Sequence, residues 1–221
     1  MALDRDAAAL PLNPSAPPRA LLSLIPAAPA REVERGEVIL REGQAPAGLI
    51  LLVRGAAAAA STAASGRRAI VDVLAPGDAW GQEAFLTGPA PPPFMPELSA
   101  LVPARFCRVA TEQAVPLNPD LLEWLARSLA ERDRRIQRRL ASTLTLPVPE
   151  RLLRVLADLG ERHGDAADGR VRVGLPLTQE ALASMVGATR ESVNRALREL
   201  EWSGDLRRRG RRYELRVGAS W

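Results

Sequence analysis

Arg190, Glu191 and Arg195 stand close together in the stretch LTQEALASMVGATRESVNRALRELEWSG, which runs from Leu177 to Gly204. An arginine guanidinium can donate two parallel hydrogen bonds to guanine O6 and N7, and a glutamate carboxylate can accept from cytosine N4. Held on one side of a helix, such a trio can read base edges in a DNA major groove. Just downstream, GDLRRRGRRYELR packs six Arg against one Glu between Arg207 and Arg216. Arg207, Arg208 and Arg209 are of the type that binds backbone phosphates.

The elements that must position these residues follow from local signals. Thr178 is suited to cap a first helix whose apolar positions are Leu182, Met185 and Val186. Gly187 can take positive φ and stop that helix sharply. Thr189 then caps a second helix, with Ser192 three positions on. Its apolar stripe Val193, Ala196, Leu197 and Leu200 packs back on the first helix. Arg190, Glu191, Asn194, Arg195 and Arg198 lie opposite that stripe. The spacing predicts a helix-turn-helix followed by a β-hairpin about Gly210, a basic wing. A solvated helix face is the bland alternative. The clustering of charge directly after Gly187, where a recognition helix meets base edges, weighs against it.

Composition narrows the remaining chemistry. All 30 basic residues of the 221-residue chain are Arg, a bias that a GC-rich genome also produces. Residues 1–117 carry 10 Arg and 11 acidic side chains, net −1, whereas residues 118–221 carry 20 Arg and 15 acidic, net +5. The basic footprint therefore belongs to the C-terminal half. The single Cys107 sits in an apolar run that reads as a buried strand, and the single His163 reads as a solvent-facing residue at a helix end. One Cys and one His exclude the usual Cys/His zinc sites and leave no Ser–His or Cys–His pair that avoids His163. With no Gly-rich phosphate loop either, neither an enzyme nor a bound metal or cofactor is expected. No stretch has the roughly 20 consecutive apolar residues of a membrane span. The N-terminus carries acids where a signal peptide has bases, so a cytoplasmic location is expected.

The chain divides into four parts. Residues 1–20 are Ala- and Pro-rich and read as disordered, and LLSLIP after them reads as a short helical turn. Within 21–117, short apolar runs punctuated by Gly predict an all-β barrel or jelly roll. The runs are EVILREG, GLILLVRG, AAAAAST, RRAIVDVL, LSALVP and ARFCRVA, with the Pro-rich loop 89–96 unable to pair in a sheet. Residues 118–146 switch to helical period, with Leu122, Leu125, Leu129, Ile136 and Leu140 on or near one face among many charges. Such a narrow stripe suits pairing with a second copy of the chain. Pro147 and Pro149 mark a hinge, and residues 147–221 hold a helix from Glu150 to His163 and the helix-turn-helix unit. The fold class is α+β: a β-roll, a long dimerisation helix and a winged helix-turn-helix.

This order of parts resembles the bacterial catabolite activator and fumarate–nitrate regulator family of transcription factors. The resemblance covers about residues 30–217. It is carried by LTQEALASMVGATRESVNRALRELE, by APGDAWGQEAF around Gly77, Gly81 and Phe85, and by NPDLLEWLARSL. It implies a homodimer on an inverted repeat of TGTGA-like half-sites, with double-stranded DNA and RNA polymerase as partners. It implies base reading by Arg190, Glu191 and Arg195, and phosphate contacts from Thr178, Gln179, Thr189, Ser192 and Arg209. Against the family pattern for cyclic AMP, the Gly-Glu pair whose Glu holds the ribose is here Gly81–Gln82. The Arg-Ser or Arg-Thr clamp for the cyclic phosphate is replaced by Glu97–Leu98–Ser99, and the hydroxyl pair on the long helix by Ile136–Gln137. A carboxylate in place of an Arg repels a phosphate. Cyclic AMP binding is therefore not expected. The single Cys and the lack of His in the β-roll also leave iron–sulfur and haem sensing without ligands. Four readings remain open: a regulator competent without effector, which is favoured; one gated by another small molecule; a sensor without DNA function; and a cupin-like metalloenzyme on the β-roll.

Overall fold

A computed structural model describes residues 30–87, 94–109, 119–167 and 169–216. The expectations for residues 1–20, for the helical turn after them and for most of the Pro-rich loop lie outside these residues. The chain forms two compact units, one built mainly on residues before 135 and the other on the residues after it.

The first unit is β-rich. Its strands are β1 (Ala30–Val33), β2 (Val38–Leu40), β3 (Leu49–Arg54), β4 (Ala57–Thr62), β5 (Arg68–Leu74), β6 (Ala79–Trp80), β7 (Glu97–Ala100) and β8 (Ala104–Val109). They form two four-stranded sheets, ordered β1-β8-β3-β6 and β2-β7-β4-β5. The alanine run is strand, as its place in the series implies, although alanine favours helix when nothing else decides. Ala57–Ala60 pairs antiparallel with β7, Ala57 opposite Ala100 and Ala59 opposite Leu98. All four alanines are buried. Gly55 admits the chain to this strand at φ 87°, and a Cβ there would lie 2.4 Å from the carbonyl oxygen of Pro103. A short helix, α1 (Gln82–Thr87), follows β6.

The long helix α2 spans Pro119–Thr145. Its opening turns bury Leu121, Trp124 and Leu125 against Leu49, Leu51, Cys107 and Val109 of the sheet β1-β8-β3-β6. This corrects one assignment: Leu125 belongs to the core of its own chain rather than to a stripe free for a partner. Cys107 is buried, and burial pushes its thiol up, as an inert core cysteine requires. After α2 the chain turns at Leu146 and Pro147 into α3 (Val148–His163), two residues earlier than the sequence pattern places it. Pro149 fits the first turn because its missing N–H would have no helical acceptor there.

The second unit is assembled on α3. Strands β9 (Gly164–Ala167) and β10 (Arg170–Val173) follow it. Next come α4 (Gln179–Val186), α5 (Arg190–Trp202), β11 (Leu206–Arg209) and β12 (Arg212–Arg216). The four strands make one antiparallel sheet, ordered β11-β12-β10-β9. The wing hairpin is present as the sequence predicts. The sequence reading places His163 at the helix end facing solvent. His163 is instead half-buried, with its carbonyl accepting from the N–H of Gly174 at 2.9 Å. Gly160 lets α3 lie directly on β10, since a Cβ there would meet Val171 Cγ1 at 2.4 Å. Leu152, Leu156 and Leu159 of α3, Leu182 and Val186 of α4, and Val193 and Leu197 of α5 close the core.

Ala59→Leu forces extra methylenes into a strand with no free side. The variant is expected to lose about 1–3 kcal/mol of stability, read as a lower urea midpoint at unchanged slope.

Candidate nucleic-acid interface

The helix pair is fixed by its caps. Thr178 Oγ1 accepts from the N–H of Ala181 at 3.1 Å and opens α4. Gly187 closes it in the left-handed region, φ 66° and ψ 37°. The N–H of Ala188 returns to the carbonyl of Ala183 at 3.1 Å, which closes the turn tightly. Thr189 Oγ1 then accepts from the N–H of Ser192 at 3.1 Å and opens α5. Gln179 Nε2 donates to Asn194 Oδ1 at 3.4 Å, tying the start of α4 to α5. Thr178, Gln179 and Ser192 are half-buried and Thr189 is exposed.

With Val193, Ala196, Leu197 and Leu200 buried, the opposite face of α5 is presented outward. Arg190, Glu191 and Arg195 are all exposed on it, joined by Arg198. The backbone N–H at Glu191 and the Thr189 hydroxyl hold the Glu191 carboxyl below the usual carboxylate range, with a smaller contribution from Arg190. Helix N-termini favour negative charge for the same reason. Glu191 is therefore an ionised acceptor at neutral pH and stays one as pH falls toward the ordinary carboxylate pKa.

The wing places its arginines on two sides of the sheet. Arg207 lies opposite Glu214 and Arg209 opposite Arg212, on the face turned away from Tyr213. This face carries a ladder of alternating charge, Arg207, Glu214, Arg172 and Asp165, in register across four strands. Arg172 lies 3.6 Å from Glu214 and 3.8 Å from Asp165. A shallow hollow of about 430 Å³ runs over it, also lined by Arg209 and Arg212. Arg208 is on the other face, half-buried and 3.3 Å from Glu201 of α5. Of the three wing arginines, Arg207 and Arg209 are thus displayed, while Arg208 braces the hairpin against the helix.

The residues flagged in the first unit are placed less uniformly. Gly81 takes φ 92° where a Cβ would strike Pro46 at 2.7 Å and the Gly48 carbonyl at 2.9 Å. Gln82 is 1% exposed. Its amide donates to Ser128 Oγ at 3.0 Å and accepts from Arg132 at 3.2 Å. Arg132 is itself only 8% exposed. It pairs with Glu83 at 2.7 Å and stacks 4.8 Å above the Trp80 ring. Glu97 and Leu98 lie on β7, Glu97 opposite Ala60 and Leu98 buried opposite Ala59. Ile136 and Gln137 are exposed on α2.

Trp80, Glu83, Ser128 and Arg132 escaped the sequence reading, in which Arg132 is one of the many charges around the apolar stripe of residues 118–146. The signal was its period: Leu121, Leu125, Ser128 and Arg132 recur at helical spacing and continue the buried stripe. Around the helix from them, Leu122, Ile136, Leu140 and Leu144 are exposed and Leu129 half-buried.

Residues 30–113 match the family model of the cyclic nucleotide-binding domain, and residues 150–217 match that of the Crp-like helix-turn-helix domain. A CRP-like cAMP-activated global transcriptional regulator of Mycobacterium tuberculosis is 29% identical over 197 residues, covering 88% of this chain and 87% of that one. The HTH-type transcriptional regulator Cmr of the same organism is 31% identical over 175 residues, 77% of this chain and 66% of that one. Among solved structures, the c-di-GMP responsive global regulator CLP of Xanthomonas campestris has the same fold. It has a TM-score of 0.73 at 19% identity over 91% of this chain and 99% of that one. Among the described residues, no helix is long and apolar enough to cross a membrane.

Thr189→Ala removes the α5 cap and is expected to cost about 1 kcal/mol in stability, measured by urea unfolding. Arg132→Ala removes two hydrogen bonds and the stacking on Trp80. It is expected to destabilise the chain by about 1–3 kcal/mol, with thermal unfolding as the check.

Proposed function

The chain belongs to the Crp-like family of transcriptional regulators, and from that premise we propose that it binds, as a homodimer, an inverted repeat of TGTGA-like half-sites without needing cyclic AMP. Its C-terminal part is a helix-turn-helix DNA-binding domain. The observation that carries the proposal is the outward face of α5, where Arg190, the ionised Glu191 and Arg195 stand together beyond a capped turn. In the proposed complex Arg190 and Arg195 donate to guanine O6 and N7, and Glu191 accepts from cytosine N4. Thr178, Gln179, Thr189 and Ser192 line the helix starts that approach phosphates. Arg207 and Arg209 extend that contact along the wing.

The exposed apolar side chains Leu122, Ile136, Leu140 and Leu144, with Leu129, support pairing of α2 with its copy. A twofold dimer offers two recognition helices to two half-sites. The same reading makes RNA polymerase a partner and the cytoplasm the place of action.

Independence from cyclic AMP is supported by Gln82. The family resemblance puts a ribose-holding carboxylate at this position. Here a neutral amide stands there with both its ends engaged, by Ser128 and Arg132. A regulator gated by a different small molecule is the second reading. It is favoured by the buried indole N–H of Trp80, which has no hydrogen-bond partner among the described residues.

The test is titration of ligand-free protein into a labelled palindromic TGTGA-type duplex, followed by fluorescence anisotropy. Selective binding that weakens steeply with salt, and is unmoved by added cyclic AMP, is the expected result. Binding only after cyclic AMP is added would overturn the effector reading. Binding only after cyclic di-GMP is added would favour the second. Arg190→Ala is expected to lose about 1–3 kcal/mol of discrimination between the preferred site and a base-changed one. Equal discrimination in wild type and variant would remove Arg190 from the readout.

A further inference from the structure

Trp202, the last residue of α5, is 92% exposed. Isolated apolar residues on a surface are ordinary and carry no message by themselves. The position of this one does. At 3.6 residues per turn, Glu191, Arg195, Arg198 and Trp202 fall within roughly 60° of arc about the helix axis. That arc lies opposite the buried stripe of Val193, Ala196, Leu197 and Leu200. The largest apolar side chain on α5 therefore ends the row whose other members carry base-reading or phosphate-binding chemistry.

Length shows what that end of the row can reach. Trp202 lies eleven positions after Glu191, about 16 Å of helix rise. The major groove is about 12 Å wide. A helix that meets base edges with its first turns carries its last turn to the border of the groove, where deoxyribose rings and outlying thymine methyls offer apolar surface. The surrounding charge suits a strand of phosphates. Arg195 and Arg198 precede Trp202 on the same arc, and Glu201 beside it is paired with Arg208 at 3.3 Å. Glu199 is the remaining acid of the last turn, and it lies outside the arc.

We propose that Trp202 is a DNA-contacting residue, its indole packing on the sugar faces of the strand that borders the major groove beyond the bases read by Arg190 and Glu191. The inference rests on the DNA-binding reading above and extends the interface along α5. The contact is neutral, so it adds affinity without releasing counterions. It touches sugar rather than base edges, so it leaves discrimination at the half-site unchanged.

Trp202→Ala and Trp202→Phe are compared with wild type and with Arg198→Ala on the palindromic duplex over a range of salt concentrations. Trp202→Ala is expected to bind about tenfold more weakly, a change of 1.4 kcal/mol, with the salt slope and base discrimination of wild type. Trp202→Phe is expected to recover part of the loss. Arg198→Ala is expected to lower the salt slope by about one. Subtracting the Trp202→Phe emission from wild type isolates the Trp202 signal, which acrylamide should quench freely in the unbound protein and poorly at saturating duplex. Unchanged affinity in Trp202→Ala, or equal quenching with and without duplex, overturns the assignment and leaves the recognition helix intact. A wild-type chain that selects no duplex overturns both readings.

Discussion

Leu121, Trp124 and Leu125 seat the first turns of α2 on the sheet β1-β8-β3-β6, and Ser128 and Arg132 continue the same stripe into the polar cluster at Gln82. A single helix must then use the remainder of its circumference for everything else. Because the helical repeat is fixed, burying that stripe decides which residues are left outside: Leu122, Ile136, Leu140 and Leu144. Substitutions on the buried stripe thus act on the exposed one through the rotation of the helix. The ring stacking of Arg132 on Trp80 and its pairing with Glu83 fix that rotation with directional contacts, which apolar packing alone does not supply.

The parts legible in the sequence are those whose determinants are local. Thr178, Gly187 and Thr189 announce the caps and turn of the helix pair within a dozen residues, and the structure uses each in the expected role. The β-roll strands were legible because glycines and prolines bound short apolar runs. Even Ala56–Ala60, which propensity assigns to helix, could be placed from its neighbours. What escaped depends on tertiary context. Arg132 looks like any other arginine of α2 until the far side of the stripe is known to be a protein interior. Leu125 satisfies the pattern of an outward stripe equally well. Strand β9, Gly164–Ala167, contains no β-branched or aromatic residue and owes its pairing to β10 across the turn.

In the second unit, economy of space organises the helix pair and the wing. Gly160, Gly164 and Gly174 bring α3 and the sheet into backbone contact, so that a Cβ at Gly164 would lie 2.0 Å from the carbonyl oxygen of Arg172. Tyr213 fills the remaining gap with its hydroxyl donating to the Leu177 carbonyl at 3.4 Å, and burial raises its pKa. The N–H of Leu177 donates to the carbonyl of Arg211 at 3.0 Å. These two bonds tie the wing and the start of the helix pair into one piece.

Every cation displayed on that piece is a guanidinium, since the chain has no lysine. Guanidinium groups stay protonated at any pH a cell experiences and present no amine for an acyl transferase to neutralise. The positive charge of this surface is thus chemically locked. Competing ions, a masking partner or fewer copies of the protein would each reduce its effect without changing that charge.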